Sequence, residues 1–210
     1  MQTNPNSIIT IYNNVFNWVS DIGYTHSSDT KRLNIEELKN KFSFYPYVML
    51  PTVANRESDQ KTEHKYLYIF IIIDKTYVSK TDSFLKLLNN VKYDGSRVII
   101  VADPKIKVNI ENAKKRARKS NLKILHYPNY LFKVDIRNNI MVGKHTICDS
   151  KELKKIMQHN NITDKQQFPK IFITDSQVRL LDANIGDVIK IMRNTPKGIL
   201  PYYRVVINHV

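Results

Sequence analysis

From Tyr66 to Asp74 the chain reads YLYIFIIID, eight apolar or aromatic residues closed by one aspartate. A helix face would break such a run every three or four positions, and a half-exposed strand every second one. A run with neither period, rich in β-branched and aromatic residues, is a strand buried on both faces, as inside an α/β sheet. A second run of this kind spans Val98 to Ala102. Between the two, Phe84, Leu85, Leu88 and Val91 mark a helix with one inward face, and Tyr93-Asp94-Gly95 turns the chain into the next strand. A basic helix follows, then short strands over Leu122–Leu125 and Leu131–Ile136. This alternation predicts parallel pairing with right-handed crossovers, an α/β architecture for the first part of the chain.

Two helices are expected ahead of that sheet. Ile8, Ile11, Tyr12, Val15, Val19 and Ile22 give Ser7–Ile22 one apolar stripe, ended by Gly23. Asn34 is a suitable N-cap for a second helix with Ile35, Leu38 and Phe42 on one face. Val53–Lys65, polar and of both charge signs, reads as a surface loop.

The end of the chain reads differently. Phe168–Ile173 is apolar but broken by Pro169, and Thr174-Asp175-Ser176 is a polar turn. A brief helical piece carries Val178, Leu180 and Leu181, and Ile185-Gly186-Asp187 turns into a strand over Val188–Met192. Asn194–Gly198 has loop chemistry, and Tyr202–Ile207 reads as a closing strand. Ahead of this lies a helix with Leu153, Ile156 and Met157 on one side, capped by Asp149 or Ser150, with Asp149 and Glu152 spaced as a capping box. A boundary near Val142–His145 divides the chain into residues 1–143 and 144–210, α+β overall with a small mixed second domain. A domain as small as the second buries little surface and often needs a partner.

Bulk properties narrow the functions. At 210 residues the chain holds one large or two modest domains, and its 42% apolar content suffices for packed cores. It has no run of roughly eighteen apolar residues and no signal-like N-terminus, so neither a membrane helix nor a secretory leader is expected. Its one cysteine, Cys148, excludes internal disulfides, reads as a small buried hydrophobe, and fits a reducing intracellular compartment. Six histidines without metal-site spacing and five glycines without a phosphate-binding loop imply no metal and no cofactor.

The net charge of +14 asks for a polyanionic partner, though an Asn-, Ile- and Lys-rich chain can be basic for coding reasons alone. The densest cluster is Lys114, Lys115, Arg116, Arg118 and Lys119, preceded by Lys105 and Lys107. On a helix, Lys114 with Arg118 and Lys115 with Lys119 repel at i,i+4. Either an external anion such as the DNA backbone compensates them, or they form an ordinary solvated face.

The C-terminal forty residues resemble the assembly domain of the fifth, jaw-type subunit shared by eukaryotic nuclear RNA polymerases and present, as a shorter counterpart, in the archaeal enzyme. The likeness lies in Phe168-Pro169-Lys170-Ile171, Asp175 with Arg179, Gly186 ahead of Val188-Ile189-Lys190-Ile191-Met192-Arg193, and Tyr203-Arg204-Val205-Val206. A weaker likeness runs upstream through Gly23-Tyr24 and His145. Gly143 stands where the family has proline, Ser176 replaces the proline after Asp175, and Leu181-Asp182 replaces an aromatic-glycine step. With the compositional bias, this divergence points to a large DNA virus version, acting in host cytoplasm or virion, whereas a cellular one would be nuclear.

The resemblance implies a non-catalytic subunit of DNA-directed RNA polymerase, with an N-terminal jaw of restriction-endonuclease-like topology beside downstream double-stranded DNA. It implies docking on the largest subunit through His145, Pro169, Lys170, Asp175, Arg179, Gly186, Lys190, Arg193, Tyr203 and Arg204, residues of which some would serve the fold alone. The family's Thr-Pro-Ser-Ala element is absent; Pro104-Lys105-Ile106-Lys107 stands there. Two other readings stay open: a free-standing non-specific DNA-binding protein, and a metal-dependent nuclease using Asp74 or Asp103-Pro104-Lys105. Pro104 argues against the nuclease, because it would interrupt the strand that such a site needs and instead marks a turn.

Overall fold

A computed structural model describes residues 5–25, 32–44, 47–55, 66–72, 88, 96–106, 122–139 and 141–208. The chain divides into two compact units, Met1–Val134 and Asp135–Val210. The division falls shortly ahead of the Val142–His145 stretch.

The first unit is built on a five-stranded sheet in the order β1-β2-β3-β4-β5. These strands are Tyr24–Thr25, Tyr47–Asn55, Tyr66–Ile72, Arg97–Ala102 and Lys123–Pro128. Strands β3, β4 and β5 pair in parallel, as the alternation predicts, and β1 and β2 add antiparallel at one side. Central strands β3 and β4 are buried almost throughout, and this is why their sequence shows no period. Tyr68, Phe70, Ile72, Val98, Ile100, Ala102 and Ile124 pack on one face together with Leu88, the described residue of the expected intervening helix. Helix α1, Pro5–Asp21, carries the predicted stripe, with Trp18 set against Tyr127 and Phe132 at ring distances of 5.0 and 5.1 Å. Helix α2, Ile35–Phe44, is capped reciprocally: the Asn34 side chain accepts from the Glu37 N–H, and the Glu37 carboxylate accepts from the Asn34 N–H, both at 2.8 Å.

Four expectations need correction. Strand β2 was not foreseen, and it takes in Val53–Asn55 from the expected loop, because antiparallel pairing with β3 satisfies its backbone despite Pro51. Leu131–Ile136 is not a strand. Strand β5 continues to Pro128, and 3-10 turns at Asn129–Phe132 and Ile136–Asn138 follow, so Leu131 and Phe132 are buried as anchors beside α1. The Asn14 amide donates to the Phe132 carbonyl at 3.0 Å and holds that turn in place. Ile35, expected inward, is 57% exposed, since it occupies the first turn of α2 while Leu38 enters the core.

The second unit is a four-stranded sheet in the order β6-β8-β9-β7, comprising Lys144–Ile147, Val188–Thr195, Gly198–Ile207 and Lys170–Phe172. Strand β9 is antiparallel to β8 and parallel to β7. Its faces are covered separately. Leu153, Ile156 and Met157 of helix α3, Ser150–His159, pack with Phe168, Val188 and Val205. Val178 of helix α4, Ser176–Leu180, packs with Ile189, Ile191 and Val206. The expected loop at Asn194–Gly198 is the fourth correction: both strands run on, and Pro196-Lys197 alone forms a two-residue turn between the paired Thr195 and Gly198. The overall class is α+β, with two mixed sheets.

Candidate functional site

Most residues singled out from the C-terminal sequence lie on or beside the β8–β9 pair, and their partners fall into two kinds. The first kind holds the unit together. The Asp175 carboxylate accepts from the Gln177 and Val178 N–H groups at 2.8 and 3.3 Å, capping α4. Gly186 has φ +88°, a left-handed conformation open to glycine, and its N–H donates to the Val206 carbonyl at 2.9 Å. The Pro169 carbonyl accepts from the Val205 N–H at 2.9 Å, securing the entry to β7. Arg179 is half-buried on α4.

His145 lies on β6 opposite Ile191 of β8, with Nδ1 2.6 Å from the Gly143 carbonyl. Gly143 itself lies so close to β8 that a Cβ there would come within 2.4 Å of the Met192 carbonyl oxygen. The departure from proline at this position is thus matched by close backbone packing.

Lys190 and Tyr203 face each other across β8 and β9 on the α3 side of the sheet. The Lys190 ammonium meets the Glu152 carboxylate at 2.6 Å, which ties α3 to the sheet and raises the lysine's pKa through that hydrogen bond. Asp149 supplies its half of the predicted capping box, accepting from the Lys151 and Glu152 N–H groups at 2.8 and 2.7 Å, while the Glu152 carboxylate is carried to Lys190. Tyr203 stacks obliquely on Phe168 at 6.4 Å, and burial raises its pKa. Cys148 packs at the same cluster, and burial, reinforced by Glu152, pushes its thiol to about 11.

The second kind faces outward. Arg193 and Arg204 lie on the α4 side, opposite Leu200 and Ile189. The Arg193 guanidinium sits 5.1 Å from the Tyr202 ring centre, and Arg204 donates to the Lys170 carbonyl at 3.3 Å. Lys170 is exposed. Sequence reading missed Ile199, Leu200 and Tyr202 as surface residues of this arm, because it took Asn194–Gly198 for a loop. The signal was present in Pro196-Lys197-Gly198, short enough to be a hairpin turn between two strands.

Of the residues expected to face DNA, Lys105 is exposed in the 3-10 turn Pro104–Ile106, immediately after β4. Its N–H is held by the Asp103 carboxylate at 3.0 Å, the turn chemistry expected of Asp103-Pro104. Lys107, Lys114, Lys115, Arg116, Arg118 and Lys119 lie outside the described residues, as does Asp74. Among the described residues, no group of three or more His, Cys, Asp or Glu side chains is placed to hold a metal ion, and no helix is long and apolar enough to cross a membrane.

Comparison with known proteins falls on this same unit. The family described as RNA polymerase Rpb5, C-terminal domain, matches residues 134–206. DNA-directed RNA polymerase subunit Rpo5 of Methanosphaera stadtmanae is 40% identical over 75 residues, 35% of this chain and 96% of the relative. The Rpo5 subunit of Methanocaldococcus jannaschii is 34% identical over 76 residues, 36% of this chain and 96% of the relative. That of Pyrococcus horikoshii is 36% identical over 74 residues, 35% of this chain and 89% of the relative. With nearly the whole of these relatives matched by one compact unit that carries the shared caps, turn glycine and strand pairs, the chain belongs to the Rpb5/Rpo5 family of RNA polymerase subunits.

Proposed function

We propose that this chain anchors a jaw to the largest subunit of its polymerase, the anchor being the Asp135–Val210 unit. Family membership makes it a non-catalytic subunit of a multisubunit DNA-directed RNA polymerase. The magnesium-dependent chemistry then belongs to other chains, and this one contributes binding and position. The observation that carries the reading is the coincidence of the matched stretch, residues 134–206, with a unit that has its own sheet and core. The residues shared with the family divide between two roles. Asp175, Gly186, Pro169 and Lys190 keep the anchor folded, and Lys170, Arg193 and Arg204 present charge outward.

The N-terminal unit supplies the lower jaw along downstream duplex DNA, with a nuclease-like topology but a bridging role. Lys105, at the C-terminal end of β4, and the basic stretch from Lys107 to Lys119 would lie against phosphates and contact DNA without reading sequence. The functional hinge lies between Val134 and His145. In an intracellular polymerase, the partners are the large subunits and the duplex.

Cross-linking mass spectrometry on the assembled enzyme tests both halves. Lysine-reactive links from Lys144, Lys170 and Lys197 should reach the largest subunit, and photo-cross-links placed at Lys105 and Lys115 should reach downstream DNA. Links from the second unit to DNA alone would reverse the assignment.

A further inference from the structure

The β8–β9 pair extends beyond the part of the sheet that is covered. Strand β6 accompanies β8 only as far as Met192, and β7 accompanies β9 only from Val205 onward. Residues 193–204 therefore form a two-stranded ribbon without a neighbour strand on either side among the described residues. Apolar side chains are expected to withdraw from such a ribbon, yet Ile199 is 64% exposed, Leu200 40% and Tyr202 42%. Leu200 and Tyr202 share the α4 side with Arg193, which lies over the Tyr202 ring, and Ile199 stands on the opposite side with Pro201.

Charge on this arm has one sign. From Val188 to Ile207 there are four cations, Lys190, Arg193, Lys197 and Arg204, and no acidic residue. Acids elsewhere in the unit are committed. Asp149, Asp164, Asp175 and Asp187 hold backbone N–H groups, and Asp135 and Glu152 hold Arg137 and Lys190. Lys190 aside, the arm's cations thus have no carboxylate of their own ribbon to meet.

The exposed backbone edge is closed to strand addition at one point. The Val205 N–H points away from β8, toward Pro169. By the two-residue period, the backbone nitrogens of Tyr203, Pro201 and Ile199 point the same way, and Pro201 has no hydrogen to donate. Proline on an open edge deters an added strand, so the contact must be made through side chains.

We propose that the ribbon tip is a docking arm, Leu200 and Tyr202 entering an apolar hollow rimmed by carboxylates on another protein subunit of the same polymerase. Arg193 and Lys197 meet the carboxylates. The proposal rests on the reading of the chain as a polymerase subunit and specifies where that subunit grips. A second copy of this chain is the poorer occupant, because it would bring four like charges against four. Exposed Ile199 and Leu200 favour a protein hollow over nucleic acid, which would be met by stacking rings and cations alone.

The test uses the tagged full chain expressed in its native source, with nuclease-treated extracts and quantitative mass spectrometry of the two large polymerase subunits. Wild type is compared with Leu200→Ser/Tyr202→Ser and with Arg193→Glu/Lys197→Glu, each checked for an unchanged melting temperature. At least a tenfold drop in recovery of the large subunits for both variants is the expected result. If the apolar pair unfolds, the charge-reversal pair, fully on the surface, still decides. Undiminished recovery with folded variants overturns the arm and leaves the subunit reading intact. Wild type that recovers no large subunit overturns both. A purified wild-type dimer dispersed by the same substitutions, or capture that nuclease removes, also overturns the proposed occupant.

Discussion

The two units solve the burial problem in opposite ways. The first relies on strands so apolar that position alone decides their fate: β3 and β4 lie between neighbours on both edges and are covered over nearly their whole length. The second has short strands, a five-residue helix and a thin core, and relies on specific local bonds. Aspartates cap α3, α4 and the 3-10 turn Lys165–Gln167, Gly186 turns the chain into β8, and Glu152 reaches Lys190. The first style tolerates drift in sequence as long as the side chains stay apolar and fill the space. The second does not, because a cap or a left-handed turn has few substitutes. That contrast accounts for family likeness concentrated where the bonds are specific.

Substitutions can break or sharpen this contrast. The largest effect is expected in the first unit: Phe70→Ala, at a fully buried centre, should cost about 3–5 kcal/mol, read by urea unfolding with hydrogen exchange to locate the loss. In the second unit, Gly143→Val drives a side chain into the Met192 carbonyl and should cost about 1–3 kcal/mol by the same measurement. Asp175→Ala removes the α4 cap and should cost about 1 kcal/mol, with lost protection confined to that helix. Leu200→Ser should change stability by less than about 0.5 kcal/mol, since the residue already faces solvent. A large cost there would mean the ribbon is part of the core.

Alkaline pH should also separate the units. Cys148 is raised from its ordinary 9.0 to about 11 by burial, and Lys190 and Tyr203 are raised as well. In each case the folded state holds its proton more tightly. The associated stability is therefore complete below the unfolded value and is lost as pH climbs through the folded one. For Cys148 that window runs from pH 9.0 to about 11. Hydrogen exchange should show the second unit loosening across it. At a pH of about 8 the thiol should react with a disulfide reagent at least about tenfold more slowly than a free cysteine, because its thiolate is scarce.

What could be read in advance follows the same division. Periodicity found α1, β3 and β4 because their environment is uniform along their length. It missed β2, whose Pro51 and mixed polarity look like loop and whose pairing with β3 is a tertiary fact. It made Leu131–Ile136 a strand because β-branched and apolar residues there anchor turns just as well. At the candidate site, the shared residues could be named one by one, but their division into fold and surface could not. Only the register shows Lys190 reaching Glu152 on one side while Arg193 and Leu200 project on the other.

Membership in a polymerase through the second unit is tested most directly by affinity purification of the tagged full chain from its native source, with nuclease present throughout. Two very large subunits should be recovered in near-equal amounts with this chain, and should be lost on Arg204→Glu combined with Lys170→Glu. Recovery of this chain alone, or only on nucleic acid that nuclease removes, would contradict that membership.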